Sequence, residues 1–192
     1  LGWHPSDNQE IFNLKQLIKE FSINRINKSG AVFDIEKLNW MNSVYLKNTS
    51  SKKLLSNIIN LLQNKKIDFS NENEILNIIE YGKTRIKTLN EIIDLIHMFK
   101  LKQSLDYNIL SDFNYKDLYI LWINKLKKIN IIDENKIKKI INETKQALNI
   151  SGKNIFLPLR FGLIGELHGP DLFSIINILG INQSIERLKN GI

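Results

Sequence analysis

The sequence predicts an all-α protein. Apolar residues recur at three- and four-residue spacings through nearly every segment, N-capping residues such as Asp34 and Thr88 stand ahead of such runs, and no sustained two-residue alternation bounded by turn signals occurs. Residues 11–21, IFNLKQLIKEF, place Ile11, Leu14, Leu17, Ile18 and Phe21 on one helical face. Residues 34–46 open on Asp34, a good N-cap, and repeat Leu38, Met41 and Tyr45 at helical spacing. KKLLSNIINLLQ and NEILNIIEYG continue the pattern. TLNEIIDLIHMF (88–99) begins with Thr88 and Glu91 at capping-box spacing. DLYILWINKLKKI and DENKIKKIINETKQAL read as two further helices joined at NIID. Polar breaks at KNTSSKK (47–53) and near KQSLDYN (102–108) are too short for flexible linkers, so abutting helical units are expected.

Composition narrows the function classes. The 192 residues can form one large domain or two to three small ones, and 43% hydrophobic with 24% charged residues is ordinary for a globular protein. No window of about eighteen uninterrupted apolar residues occurs, so no membrane span is expected. The N-terminus lacks a basic-then-apolar leader, and the missing initiator Met leads us to expect a piece of a longer chain. The absence of cysteine excludes disulfides and thiol ligands and fits a reducing compartment.

A net charge of +7 favours nucleic acid or an acidic partner, although AT-rich coding raises Lys in the same direction. That bias makes the arginines informative. Of 27 basic residues only Arg25, Arg85, Arg160 and Arg187 are arginine. Where composition drifts toward Lys, a retained Arg marks a place that needs the planar, multi-donor guanidinium, for a ligand or for a structural pair. The lysines at 125, 127, 128, 136, 138 and 139 read as solvated helix surface.

Nothing points to catalysis. His4, His97 and His168 lie far apart without ligand spacing, and His97 reads as a helix-packing residue. There is no HExxH, Walker loop, GxSxG or dinucleotide glycine fingerprint, so neither a catalytic residue nor a metal site is expected.

The segment KNIFLPLRFGLIGELHGPDLFSIINILG (153–180) is the least ordinary. Pro158 is expected in the first turn of a helix running from Leu159, which puts Arg160 near an N-terminus, where a cation opposes the helix dipole. Pro170 is expected at the first position of the next helix. Two helix starts facing one concavity with Arg160 between them would form a pocket for an unstacked base or a phosphate. The alternative is a helical hairpin whose glycines only permit close packing.

A resemblance separates the two. Residues 1–46, with LGW followed by a proline, EIF, LIKEF, KS.AVFD..KL.W.N and then Tyr45, closely resemble the region after the KMSKS-type loop of bacterial-type glutamyl-tRNA synthetases. The tail from 152 to 188, GK..F.PLR..L.G...GP.LF.I...LG......RL, resembles that family's anticodon-binding end, and YGKTRIKTLNEI resembles its other anticodon-contacting segment. The resemblance implies a helical stem-contact piece (1–48) followed by a two-part helical anticodon-binding cage (49–108 and 109–192). It implies binding of tRNA for glutamate, a cytoplasmic monomer and no membrane. It also implies a partner domain, the N-terminal catalytic part of the same enzyme, where ATP and Mg would act to join glutamate to tRNA. The HIGH-type and KMSKS-type signatures are not in this sequence, so this chain is expected to be inactive alone and to hold no cofactor. A helical protein-interaction module with incidental basic charge is the other reading.

By position in these motifs, Arg85 matches the arginine that reads the third anticodon base, Arg160 the one near the first base, and Leu172, after Pro170 in the GP.LF turn, a residue packing against the bases. Cytosine at the third position offers O2 and N3 as acceptors to a guanidinium, whereas guanine turns N1–H and N2–H donors toward it. By analogy with base-edge readout in duplexes, such a contact is worth about 1–3 kcal/mol, or roughly ten- to hundredfold. Arg25 matches a family arginine at the tRNA stem or in an anchoring role. Arg187 reads as structural, paired with Glu186 or a neighbour. Gly30 stands where relatives commonly have Pro, and Ile164 in LIG replaces a Thr, removing a hydroxyl beside the expected pocket.

Overall fold

The computed structural model describes all residues except 1, 8, 29, 31, 69–70 and 101–104. The expected break near 102–108 lies partly outside the described residues; the other, at 47–53, falls between two helices as predicted.

The N-terminal piece holds a short helix α1 (Leu14–Glu20), a 3-10 turn (Ile23–Arg25) and α2 (Ile35–Asn48). Asn13 and Gln16 form a reciprocal capping box on α1, and Asp34 caps α2 through the Lys37 amide. A single antiparallel bridge joins Trp3 to Ile26, and Trp3 packs against Phe12 and Phe21.

Three helices follow: α3 (Ser51–Asn64), α4 (Glu72–Gly82) and α5 (Leu89–Phe99). Their apolar stripes meet around Leu54, Ile58, Leu62, Ile75, Ile78, Ile92 and Ile96, all essentially inaccessible. Thr88 caps α5 through the Glu91 amide as expected, and the Glu91 carboxylate accepts from the Thr88 hydroxyl and the Lys87 amide.

A 3-10 turn (Tyr107–Leu110) leads to α6 (Tyr115–Leu126), α7 (Glu134–Leu148), α8 (Lys153–Ile164) and α9 (Leu172–Lys189), the last broken at Gly180. Trp122, Tyr119, Leu159, Leu163, Ile175 and Leu188 fill the space between them. The buried side chains form one apolar cluster extending from Leu46 to Leu188. Among the described residues all regular structure apart from the Trp3–Ile26 bridge is helical, as the periodicity predicted. No helix among them is long and apolar enough to cross a membrane.

Pro158 departs from expectation. The helix starts at Lys153 after Gly152, so the proline lies mid-helix. Its missing N–H would have paired the carbonyl of Asn154, an exposed first-turn residue open to water. Next to it the buried Tyr119 hydroxyl approaches the helix ladder beside Gly162, donating to the Pro158 carbonyl at 2.6 Å. Gly162 permits this approach, because a Cβ there would stand 2.5 Å from the Tyr119 oxygen. Burial drives the Tyr119 phenol far above its ordinary pKa, so it remains a hydrogen-bond donor.

His97 also differs: it is exposed in the last turn of α5 rather than packed. The lysines of α6 and α7 are surface groups, several of them paired. Lys138 meets Glu134 at 2.7 Å, and Lys125 meets Glu143.

Candidate nucleic-acid interface

The end of α4 and the turn between α8 and α9 come together although they are far apart in sequence. Arg85 follows α4 in the turn YGKTRIK, and its side chain is exposed. Its Nη1 donates to the Tyr81 carbonyl at 2.8 Å and to Thr84 Oγ1 at 3.2 Å, and its guanidinium lies over the Tyr81 ring, 4.1 Å from the centroid. Nε and Nη2, which share one edge of the fork, have no protein partner among the described residues.

Arg160 is held differently. It lies one turn before the C-terminal end of α8, where a cation favours the dipole, not at an N-terminus. Its Nε donates to the Pro170 carbonyl at 2.9 Å and its Nη1 to the Leu167 carbonyl at 3.0 Å, one bond from each side of the fork. The side chain therefore braces the 165–171 turn from within. Partial burial lowers its pKa, while Asp171 and Tyr81 favour the charged form. The pocket between two helix starts does not form. Asp171 is the N-cap of α9, and Pro170 stands one residue before that cap.

Gly169 needs its glycine. Its φ is +137°, and a Cβ would meet Met98 Sδ at 3.2 Å. With Pro170 it lines one side of a hollow of about 320 Å³, while Tyr81, Arg85, Ile86 and Met98 line the other. That volume lies at the small end of ligand cavities, about 300–1,000 Å³. The hollow is lined mainly by apolar surface, with Arg85, Glu91 and Asp94 as its charged residues, and the apolar part suits the flat face of a base. Ile164, in place of the hydroxyl residue, is buried and supplies apolar support near Gly169.

Of the sequence-predicted residues, the structure gathers Arg85 and Pro170 around this hollow, with Arg160 behind the turn. Leu172 is only 2% exposed, so its side chain supports the turn from the core. Arg25 lies apart in the N-terminal piece, where its guanidinium donates to the Glu20 carbonyl and sits 5.7 Å from the Trp3 ring centroid. Arg187 is structural as expected, with other partners. It is 6% exposed and donates to the Leu163 carbonyl at 2.7 Å and the Phe99 carbonyl at 2.8 Å, while Glu186 is exposed beside it. Burial lowers its pKa to about 10, opposed by the Glu74 carboxylate.

Sequence reasoning missed Tyr81, Asp171 and Ser174. Asp171 accepts from the Ser174 amide at 2.9 Å and the Ser174 hydroxyl at 2.6 Å. Burial pushes its carboxyl up, yet these bonds, its own amide and Arg85 together leave it below the ordinary carboxylate value. Burial raises the phenol pKa of Tyr81, and the nearby Ser174 hydroxyl opposes that rise. The signals were present: Tyr81 and Arg85 are at i, i+4 spacing, and Asp171 begins a D-x-x-S cap. Among the described residues no three His, Asp or Glu side chains converge in a metal-binding group.

A family model described as the anticodon binding domain matches residues 53–192. The chain is similar to glutamate–tRNA ligase 1 of Caldicellulosiruptor saccharolyticus, 31% identical over 98% of this chain and 41% of that protein. It is also similar to the glutamate–tRNA ligase of Mycoplasma genitalium, 34% identical over 98% of this chain and 40% of that protein. Among solved structures it matches a glutamate tRNA ligase from Elizabethkingia meningosepticum in complex with its amino acid, with a TM-score of 0.79 and 29% identity over 98% of this chain and 38% of that one. The chain thus spans about two fifths of the length of the relatives it matches.

Proposed function

The chain belongs to the anticodon-binding domain family, and on that footing we propose that it is the tRNA-binding portion of a cytoplasmic glutamate–tRNA ligase that recognises the anticodon of tRNA for glutamate. The observation that carries this reading is the free Nε/Nη2 edge of Arg85 beside a mainly apolar hollow that Arg85 helps to line. Two parallel donors match the O2 and N3 acceptors of a third-position cytosine, and the hollow receives an unstacked base.

In this reading residues 49–108 and 109–192 are the two parts of the anticodon cage, and Arg160 with Pro170 and Leu172 shapes the turn facing the first base. Exposed lysines such as Lys127 and Lys128, just past the end of α6, supply salt-dependent attraction to phosphates. Residues 1–48 are the stem-contact piece, with Arg25 holding it in shape. Their exposed apolar side chains, among them Leu14, Ile18, Val32 and Phe33, suit cover by the catalytic part of the enzyme, where ATP and Mg would act.

The test is binding of this chain, at near-physiological salt, to tRNA transcripts that differ only at the third anticodon base. A C-over-G preference that disappears in Arg85→Ala supports the reading. Equal binding of both transcripts by the native chain overturns it.

A further inference from the structure

Tyr81 stands between the two arginines of the cage and touches the machinery of both. Its ring carries the Arg85 guanidinium at 4.1 Å, and its carbonyl accepts from Arg85 Nη1. Its hydroxyl lies near Ser174, in the first turn of α9. Ser174 is in turn fixed to Asp171, the residue after the Pro170 that Arg160 holds. The other arginine–ring pair among the described residues, Arg25 over Trp3, lies in the N-terminal piece.

An exposed arginine on a flexible stem has many rotamers, and ordering it on binding opposes affinity. In this site one face and one nitrogen are already engaged by Tyr81 and Thr84, and the engaged nitrogen is Nη1. The edge left over is the Nε/Nη2 pair, the edge with two parallel donors. Restraint also acts against the wrong base. A loose arginine can swing away from the N–H donors of guanine and avoid the conflict, whereas one stacked on a ring has to meet them or leave the ring.

We infer that Tyr81 is a positioning residue for anticodon reading: its ring holds the Arg85 guanidinium so that the Nε/Nη2 edge faces the third anticodon base, sharpening selection for cytosine and against guanine. This rests on the reading proposed above, and it adds a residue and a physical cause for specificity.

The experiment uses the same C-ended and G-ended transcripts with the native chain, Arg85→Ala, Tyr81→Leu and Tyr81→Phe, each checked for helicity by circular dichroism. Tyr81→Leu is expected to reduce the C-over-G preference about two- to fivefold, the worth of an exposed cation–ring contact, while the G-ended transcript binds no more weakly than to the native chain. Tyr81→Phe keeps the ring and is expected to keep the preference. A purely structural role for Tyr81 would weaken both transcripts alike and leave their ratio unchanged; that result overturns the inference, as does full preference in Tyr81→Leu. If Tyr81→Leu loses helicity, Tyr81→Met, long and apolar without a π face, is judged by the same ratio. A native chain without preference, or one whose preference survives Arg85→Ala, overturns the anticodon reading itself. A preference lost in Arg85→Ala but intact in Tyr81→Leu removes only the role of Tyr81.

Discussion

The turn after α4 and the turn between α8 and α9 each present an arginine beside Tyr81, and the two side chains are used in opposite ways. Arg160 directs both sides of its fork to carbonyls of its own turn, at 2.9 and 3.0 Å. Arg85 gives up one nitrogen and one face and keeps an edge. Residue type therefore marks where a guanidinium is needed, but the spare donors decide whether it is available to a ligand. Arg187 extends the series: it is buried, and it joins the ends of α8 and α5 through two carbonyls.

The contrast can be tested through stability, from the largest expected effect to the smallest. Arg187→Ala leaves two buried carbonyls without a donor, each costing about 1–3 kcal/mol, so urea unfolding should show a loss of about 2–6 kcal/mol. Arg187→Lys should not restore it, because one ammonium lacks the fork that spans both acceptors. Arg160→Ala is expected to lower stability by about 1–3 kcal/mol and to weaken C-ended and G-ended transcripts alike. A selective loss at the third base would move Arg160 from brace to reader.

Asp171→Asn should cost stability near neutral pH and little in acid. The folded pKa of Asp171 is depressed, so its contribution is present above the ordinary carboxylate value and is lost as pH falls through the folded value. Between about pH 5 and pH 2 the native chain should lose stability more steeply than the variant, read from thermal midpoints. Arg85→Ala should be smallest in stability, within about 0.5 kcal/mol, although its effect on tRNA discrimination is the largest proposed. A large loss of stability would show that the Arg85–Tyr81 contact supports the fold.

The N-terminal piece adds a second contrast. Val32 is 86% exposed and Leu14 72%, and α1 buries no residue, while the three-helix part beside it has a closed core. The same apolar periodicity occurs in both. Periodicity specifies a face to be covered, and among the described residues that cover is far more complete in α3 to α9 than in α1 and α2.

The all-α fold, the Asp34 and Thr88 caps and the shortlist of arginines were legible in the sequence, because helix periodicity and capping act between residues three or four apart. Family membership was legible too, through motif order over nearly the whole length. The place of Pro158, the brace role of Arg160 and the partners of Arg187 were decided by tertiary structure. Pro158 reads locally as a helix start, yet a tyrosine hydroxyl from α6 supports the helix around it. Arg187 reads as the neighbour of Glu186, yet it bonds a carbonyl 88 residues away. Local spacing determines which backbone groups pair within a helix, but a guanidinium takes whichever acceptors packing brings within reach, and burial makes an unpaired acceptor costly enough to fix that choice.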